Sequence, residues 1–560
     1  MNPLYLEVRG EQFLALYHPA TGSAPSVLIC PPLGWDDVCS YRARRDWAEH
    51  LASGGHAALR FDLPGTGDSA GSPHDADRLE TWTAAVEEAA AWLARHDGTD
   101  VVAVGIGAGG LLALRAVANG APIGDLVLWS VPARGRTIVR ELRAFARLEA
   151  ASLGDQLAAG TDESIVAGGF PLAAATAEAI AAVDLASMSL PRAAERRVLL
   201  LERDGLPVDG DLLRALREAG AEVEVGPGEG YGEMMLEPGF ARAPVGVFGR
   251  VDGWLARGET AGTASATAPP PGTLDAGGVC ETPLELAAPA GTVFGVLAEP
   301  SGGERASICA VFLNAGAVRR IGPNRMWVTA ARRWAARGVP TVRLDVPGIG
   351  DGGGASVRFP TVASFYTEDV VADVRAALDG LVAHGLPGRF VLVGLCSGGY
   401  WAFQSALADE RVVGAFPVNT TVLEWSATLL PDRRLQPLRA SLRHAVTSAK
   451  PRELMWWTRV VLARLAGRLA RARGGDSIDR AFDRLRDAGR RLVLVYEDED
   501  PQRWELERDG RLAQLERWPN VTVEQIAGKD HTLRPPAMQE QAHAALDRAL
   551  DSVLAAQPPP

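Results

Sequence analysis

Little in this chain invites cross-linking or metal binding. Five cysteines among 560 residues (Cys30, Cys39, Cys280, Cys309 and Cys396) lie scattered, with no Cys-x-x-Cys pair. That spacing argues against a disulfide framework and against a zinc site, and it fits a reducing compartment. Basic residues are not in excess: 57 Lys and Arg face 69 Asp and Glu, a net charge of −12. No global field therefore draws nucleic acid, and none is expected as a partner. No apolar run approaches the roughly 20 residues that cross a bilayer. The first ten residues, Met1 to Gly10, hold no basic stretch leading into an apolar core. The expected location is the cytoplasm, without membrane contact.

What is present is ordinary for a globular protein, with 47% apolar and 22% charged residues. The length predicts two or three domains. An internal repeat favours two. Leu59-Arg-Phe-Asp-Leu-Pro-Gly-Thr-Gly-Asp-Ser69 recurs as Val342-Arg-Leu-Asp-Val-Pro-Gly-Ile-Gly-Asp-Gly352. Each copy follows an apolar strand and turn (Val27 to Gly34, Ala310 to Ala317) and precedes a strand with a glycine-rich elbow (Val101 to Gly110, Val391 to Gly399). One similar order over so long a span predicts a duplicated domain rather than a solenoid. The copies are expected at 1–257 and 277–560, joined by a linker over 258–276 whose small residues and prolines, such as Ala268-Pro-Pro-Pro-Gly272, cannot fold alone. Within each copy, apolar strands alternate with helical stretches such as Leu79 to Arg95 and Phe365 to His384. Alternation of this length predicts βαβ units and a mostly parallel sheet with helices on both faces.

The chemistry concentrates in Gly394-Leu395-Cys396-Ser397-Gly398, between the apolar run Arg389 to Val393 and a predicted helix from Tyr400 to Ala408. Strand, Gly-x-Nuc-x-Gly turn and helix make a nucleophile elbow, which holds its central side chain at the strand tip beside a helix N-terminus. Centring the motif on Ser397 would require glycine at Leu395, so Cys396 is the candidate nucleophile. A cysteine nucleophile needs a base, an orienting acid and an oxyanion hole. After the elbow, His531 alone among histidines follows a strand (Val521 to Ile526) and is the candidate base. The acid is expected after strand Arg491 to Tyr496, with Asp500 first and Asp498 or Glu497 as alternatives; Asp530 adjoins His531 and is poorly placed to bond that ring. The backbone N–H groups of Ser397 and Ala317 are the candidate oxyanion donors. Between residues 421 and 488 no strand is expected; Trp425, Trp456, Trp457 and arginines from Arg433 to Arg473 predict a basic helical lid.

With elbow, acid, histidine and lid in this order, the second copy resembles an α/β-hydrolase over nearly its whole length, and the first copy is similar in outline. The resemblance implies the Cys396–His531–Asp500 triad and no metal or diffusible cofactor. Cysteine in place of serine is shared by a minority of such enzymes, among them dienelactone hydrolases, polyester synthases, aminoacyl-shuttling enzymes and Dieckmann cyclases of antibiotic pathways. A thiolate that attacks a thioester forms another thioester, so acyl exchange is nearly isoenergetic. Cys396 therefore suits capture of an acyl group from a thioester, including one on an acidic carrier protein that the lid arginines could receive. Release would follow by transfer, cyclisation or hydrolysis. A simple esterase or lactone hydrolase and a non-catalytic binding protein are the alternatives.

The first copy has Gly107 at the nucleophile position. Glu202 and Asp204 leave an acid nearby, but no histidine follows strand Glu222 to Val225. That copy is expected to be catalytically inactive. Gly105-x-Gly107-x-x-Gly110 also matches a dinucleotide fingerprint, yet the next strand, Leu126 to Val131, ends without an acid for a ribose, which argues against nucleotide binding.

Overall fold

The computed structural model describes residues 1–21, 24–153, 164–258, 269, 272–424 and 477–556. Most of the linker lies outside the described residues. So does most of the expected lid, with Trp425, Trp456, Trp457 and the arginines between Arg433 and Arg473.

Two mostly parallel sheets organise the chain, as expected. The first contains β1 (Asn2–Val8), β2 (Glu11–His18), β3 (Ser26–Cys30), β4 (Ala58–Phe61), β5 (Val101–Ile106) and β6 (Asp125–Trp129). A separate hairpin, β7 (Ile165–Ala167) and β8 (Phe170–Leu172), precedes its last strands, β9 (Arg197–Leu201) and β10 (Glu222–Gly226). The spatial order is β1-β2-β4-β3-β5-β6-β9-β10. The second sheet comprises β11 (Leu274–Asp275), β12 (Val279–Ala288), β13 (Gly291–Pro300), β14 (Cys309–Leu313), β15 (Thr341–Asp345), β16 (Phe390–Leu395), β17 (Val412–Val418), β18 (Arg491–Glu497) and β19 (Val521–Ile526). Its order, β11-β12-β13-β15-β14-β16-β17-β18-β19, repeats the first behind one added edge strand. In both sheets a hairpin pairs antiparallel at one edge and the other strands run parallel.

Strands read as continuous apolar runs because both faces are covered. In β5, Val101 and Ala103 join one core while Val102, Val104 and Ile106 join the opposite one. In β16, Phe390 and Leu392 pack toward helices Glu368–Ala383 and Ser397–Ala408. Val391, Val393 and Leu395 pack toward helices Met326–Ala336 and Pro536–Ala555. The helix expected from Phe365 starts at Glu368, after a separate 3-10 turn over Val362–Phe365.

The lobes meet through their repeated motifs, and the contacts are reciprocal. Arg60 of the first motif pairs with Asp351 of the second, and Arg343 of the second pairs with Asp68 of the first at 3.0 Å. Arg42 donates to the carbonyls of Gly350, Gly352 and Gly354, while Arg325 donates to those of Gly67, Ser69 and Gly71. Adding 283 to a residue number converts each contact into its counterpart, the signature of an isologous interface within one chain. Leu14 and Leu16 of β2 and Phe294 and Val296 of β13 form an apolar cluster between the sheets. Arg45, Arg319, Arg320 and Arg332 also bond across the lobes but have no arginine at the shifted position, and two of them meet carboxylate clusters. Arg319 bonds both carboxylate oxygens of Asp62, at 2.8 and 2.9 Å, and reaches Asp37 at 3.3 Å. Arg320, fully buried, bonds Asp68, Asp345 and Asp351 at 2.6 to 2.7 Å.

His18 is buried beside this cluster and accepts a bond from Arg60 Nε at 3.1 Å. Burial, and then Arg60, hold it well below the ordinary imidazole range. A neutral folded-state histidine adds stability that is present above pH of about 6.5 and is lost as pH falls from there toward the folded value. Between pH 6.5 and 5 the wild type is expected to lose up to about 1.4 kcal/mol per pH unit relative to His18→Gln, whose amide oxygen can still accept from Arg60. Urea unfolding at several pH values measures that difference; parallel curves for the two proteins would remove the assignment.

Candidate functional site

Cys396 stands between β16 and helix Ser397–Ala408 with φ 58° and ψ −119°. Left-handed backbone at a residue with a side chain is costly, on the order of 1–3 kcal/mol, and persists only where its surroundings impose it. They do so here. A Cβ on Gly394 would collide with the backbone of Gly398, and a Cβ on Gly398 would collide with the carbonyl oxygen of Asn314. The glycines thus let the helix start press against the strand and against the turn after β14. That contact brings the Ser397 end of the helix to the Asn314–Ala317 turn, the two sources of the expected oxyanion donors. In the first lobe Gly107 has φ 53° and ψ −119°, so the elbow backbone is shared while the side chain is absent.

The last residue of β17 and the two that follow it tie the site together. The Cys396 N–H donates to Val418 O at 3.0 Å, and Thr420 Oγ1 donates to Cys396 O at 3.2 Å. Asn419, buried and at φ 42°, donates from Nδ2 to His531 O at 2.9 Å and accepts from Glu497 N at 2.9 Å. The elbow, the end of β18 and the histidine loop are therefore all fastened to residues 418–420. Half-buried Cys396 has its Sγ 3.9 Å from both Tyr366 Oη and Thr421 Oγ1. Asn419, Thr421 and Tyr366 were not singled out in the sequence. The first two follow an apolar strand, which is the signal a rim residue leaves. Tyr366 reaches the site from 30 residues upstream and leaves none.

The three candidate acids have separate environments. Asp498 is spent on the β19 turn, bonded by Gln525 Nε2 at 2.6 Å and Gly528 N at 2.9 Å. Glu497 Oε2 accepts from Glu499 N at 2.8 Å. Asp500 is buried and caps helix Pro501–Arg508 through Oδ1, which accepts from Gln502 N and Arg503 N. Its Oδ2 is buried and receives no hydrogen bond among the described residues. Burial raises Asp500 to about 6, and the strongest influence opposing that rise is His531. Asp530 bonds the Thr532 and Arg534 N–H groups and the Arg534 guanidinium. Arg534 in turn reaches Glu149 of the first lobe at 2.9 Å.

In the first lobe the acid position has another use. Asp204 accepts from the N–H groups of Gly230, Tyr231 and Gly232 at 2.6 to 3.1 Å and so caps the short helix Tyr231–Met234. A helix start occupies the place where a histidine loop would follow. Among the described residues no group of three or more His, Cys, Asp or Glu side chains could hold a metal ion, and no helix is long and apolar enough to cross a membrane.

No curated protein matches the chain. Solved structures that match include Est1E from Butyrivibrio proteoclasticus with ferulic acid bound, at 19% identity over 45% of this chain and 98% of that one, with a TM-score of 0.33. A dienelactone hydrolase from Anabaena variabilis matches at 12% identity over 49% of this chain and 98% of its own, with a TM-score of 0.32. An alpha-beta serine hydrolase homologue from Coxiella burnetii matches at 14% identity over 47% and 96%, with a TM-score of 0.30. Residues 310–549 match the model of the alpha/beta hydrolase family, a stretch that holds Cys396, Asp500, His531 and every strand from β15 to β19.

Proposed function

We propose that the second lobe is a cysteine-dependent acyl-transfer catalyst that takes its acyl group from a thioester. The observation that carries this reading is the strained backbone of Cys396, kept at a strand tip and helix N-terminus where the first lobe has a strain-free glycine. Such strain is retained where a side chain must be presented. The lobes are then two copies of one ancestral unit, 1–257 and 277–560, the first without catalysis.

In the proposed reaction His531 takes the Cys396 proton and the thiolate attacks the thioester carbonyl. The oxyanion forms against the N–H groups of Ser397 and Ala317. Collapse breaks the bond to the leaving thiol, which receives the proton from His531, and leaves the acyl group on Cys396. Asp500 orients the imidazole and stabilises its charged form. An acceptor, which is water, an alcohol, an amine, a thiol or a carbanion within the acyl chain, then attacks the acyl carbon. A protic acceptor gives its proton to His531. Collapse breaks the acyl–Sγ bond and returns Cys396 as the leaving thiolate, which His531 reprotonates when it carries that proton. Intact-protein mass spectrometry after brief exposure to a panel of acyl thioesters tests the reading. An adduct on Cys396, absent from Cys396→Ala, supports it, and the released product names the acceptor. No adduct and no turnover with any thioester or ester leaves the second lobe a binding protein.

The acid assignment has its own test. With Asp500 raised to about 6, the orienting carboxylate is lost as pH falls through that value. The ratio kcat/KM is expected to drop about tenfold per unit below pH 6. In Asp500→Asn the baseline should fall and the midpoint of the acid limb should move, because protonation of the base His531 alone then sets it. A limb unchanged in Asp500→Asn would move the role to Glu497.

A further inference from the structure

A cavity of about 770 Å³ lies between the lobes and shares no lining residue with the Cys396 site. Its volume is that of a small-molecule site. Trp82, Phe170 and Leu172 of the first lobe and Val328 of the second give it apolar walls, and Arg325, Thr329 and Arg332 present a polar edge on one helix face. His74 and Glu540 are exposed at its rim.

Comparing the two halves of the interface shows what this edge lacks. Arg42, the counterpart of Arg325, bonds the same three carbonyls of the opposite motif and is neutralised by Asp46 at 3.3 Å. One turn further, Glu49 neutralises Arg45 at 2.8 Å. Adding 283 turns Asp46 into Thr329 and Glu49 into Arg332. Both carboxylates on that helix face are therefore missing on the cavity side. Arg325 donates to the carbonyls of Gly65, Gly67, Ser69 and Gly71 and has no ion-pair partner among the described residues. Arg332 pairs with Glu281 at 2.6 Å, but its Nε is buried without a hydrogen-bond partner among the described residues. Carbonyl oxygens satisfy the N–H groups of a guanidinium and leave its charge uncompensated. Burial, and then Arg332, also lower the pKa of Arg325, and the carboxylates of Glu281 and Asp68 offset this only in part.

We propose that this cavity binds an amphipathic organic carboxylate, its head group where Asp46 sits in the other half, beside Arg325 and Thr329, and its hydrocarbon body against Trp82, Phe170, Leu172 and Val328. The site is independent of the thiol chemistry. It uses neither Cys396 nor the histidine loop.

Calorimetric titration of the full chain with sodium octanoate and, in parallel, with 1-octanol tests the proposal. Thr329 is exposed, so Thr329→Asp restores the missing carboxylate without disturbing the core, and Thr329→Asn controls for size. The expected result is saturable octanoate binding by the wild type and by Thr329→Asn. Thr329→Asp should bind octanoate at least about tenfold more weakly, the effect of losing one charge-assisted contact, with 1-octanol unaffected. Absence of octanoate binding by the wild type, a change below about threefold in Thr329→Asp, or an equal loss of 1-octanol binding would each overturn it.

Discussion

Cys396→Gly, which copies the elbow of the first lobe, is expected to abolish turnover while leaving the fold intact or slightly firmer. Removing a nucleophile from a working triad lowers kcat by about 10⁴ or more. Stability moves the other way. At φ 58° a cysteine carries strain that glycine does not, and relief of it offsets the extra freedom glycine gains in the unfolded chain. Unfolding free energy should therefore be unchanged or rise by up to about 1 kcal/mol, measured in urea beside the kinetics. Cys396→Ala keeps the strain and should lose activity without that gain. If Cys396→Gly turned over thioesters at the wild-type rate, the proposed chemistry would be wrong. If it lost activity and stability together, the elbow would be a packing element rather than a strained mount.

The second large effect is structural. Arg320→Met is expected to cost about 3–5 kcal/mol, because it strips a buried cation from Asp68, Asp345 and Asp351 at once. Burial alone would push the Asp68 carboxyl up, yet Arg320 and then Arg343 bring it down to about 2. The loss should be greatest near neutral pH and shrink in acid, where protonation removes the stranded charges. A surface pair is the control: Arg95→Ala, which breaks the exposed contact to Glu88 at 2.9 Å, should cost under about 1 kcal/mol. Denaturant unfolding of both variants decides the matter. Equal and small losses would mean that water reaches the cluster.

The two elbows, the parallel strands and the rim positions of Asp500 and His531 were legible in the sequence, because each rests on local signals: apolar runs, glycine spacing and residues just past strand ends. Tyr366 was not, since a side chain delivered by a turn 30 residues upstream has no periodicity to betray it. The antiparallel edge hairpins β1–β2 and β12–β13 escaped for another reason. Nearly every residue of β2 is buried to some degree, so the alternation that marks a one-sided strand is blurred. The repeat itself was plain, but its second meaning was not. Arg60 and Asp68 look like partners within one loop, whereas each pairs with the motif 283 residues away. No reading of one motif reveals that exchange.

Arg319 and Arg320 have a consequence for partner choice. Their counterparts in the first lobe are Asp36 and Asp37, so the same two positions are acidic in one half and basic in the other. An isologous face would otherwise allow either half to pair with a copy of itself. Two first lobes brought together in that way would set aspartates against aspartates, and two second lobes would set arginines against arginines, each a like-charge clash in a site without water to screen it. Only the mixed pair places Arg319 between Asp37 and Asp62. The charge pattern thus admits only a first lobe against a second, and between its own second lobe and a neighbour's identical one it is the covalent connection, which gives the two halves of one chain a high effective concentration, that favours the first.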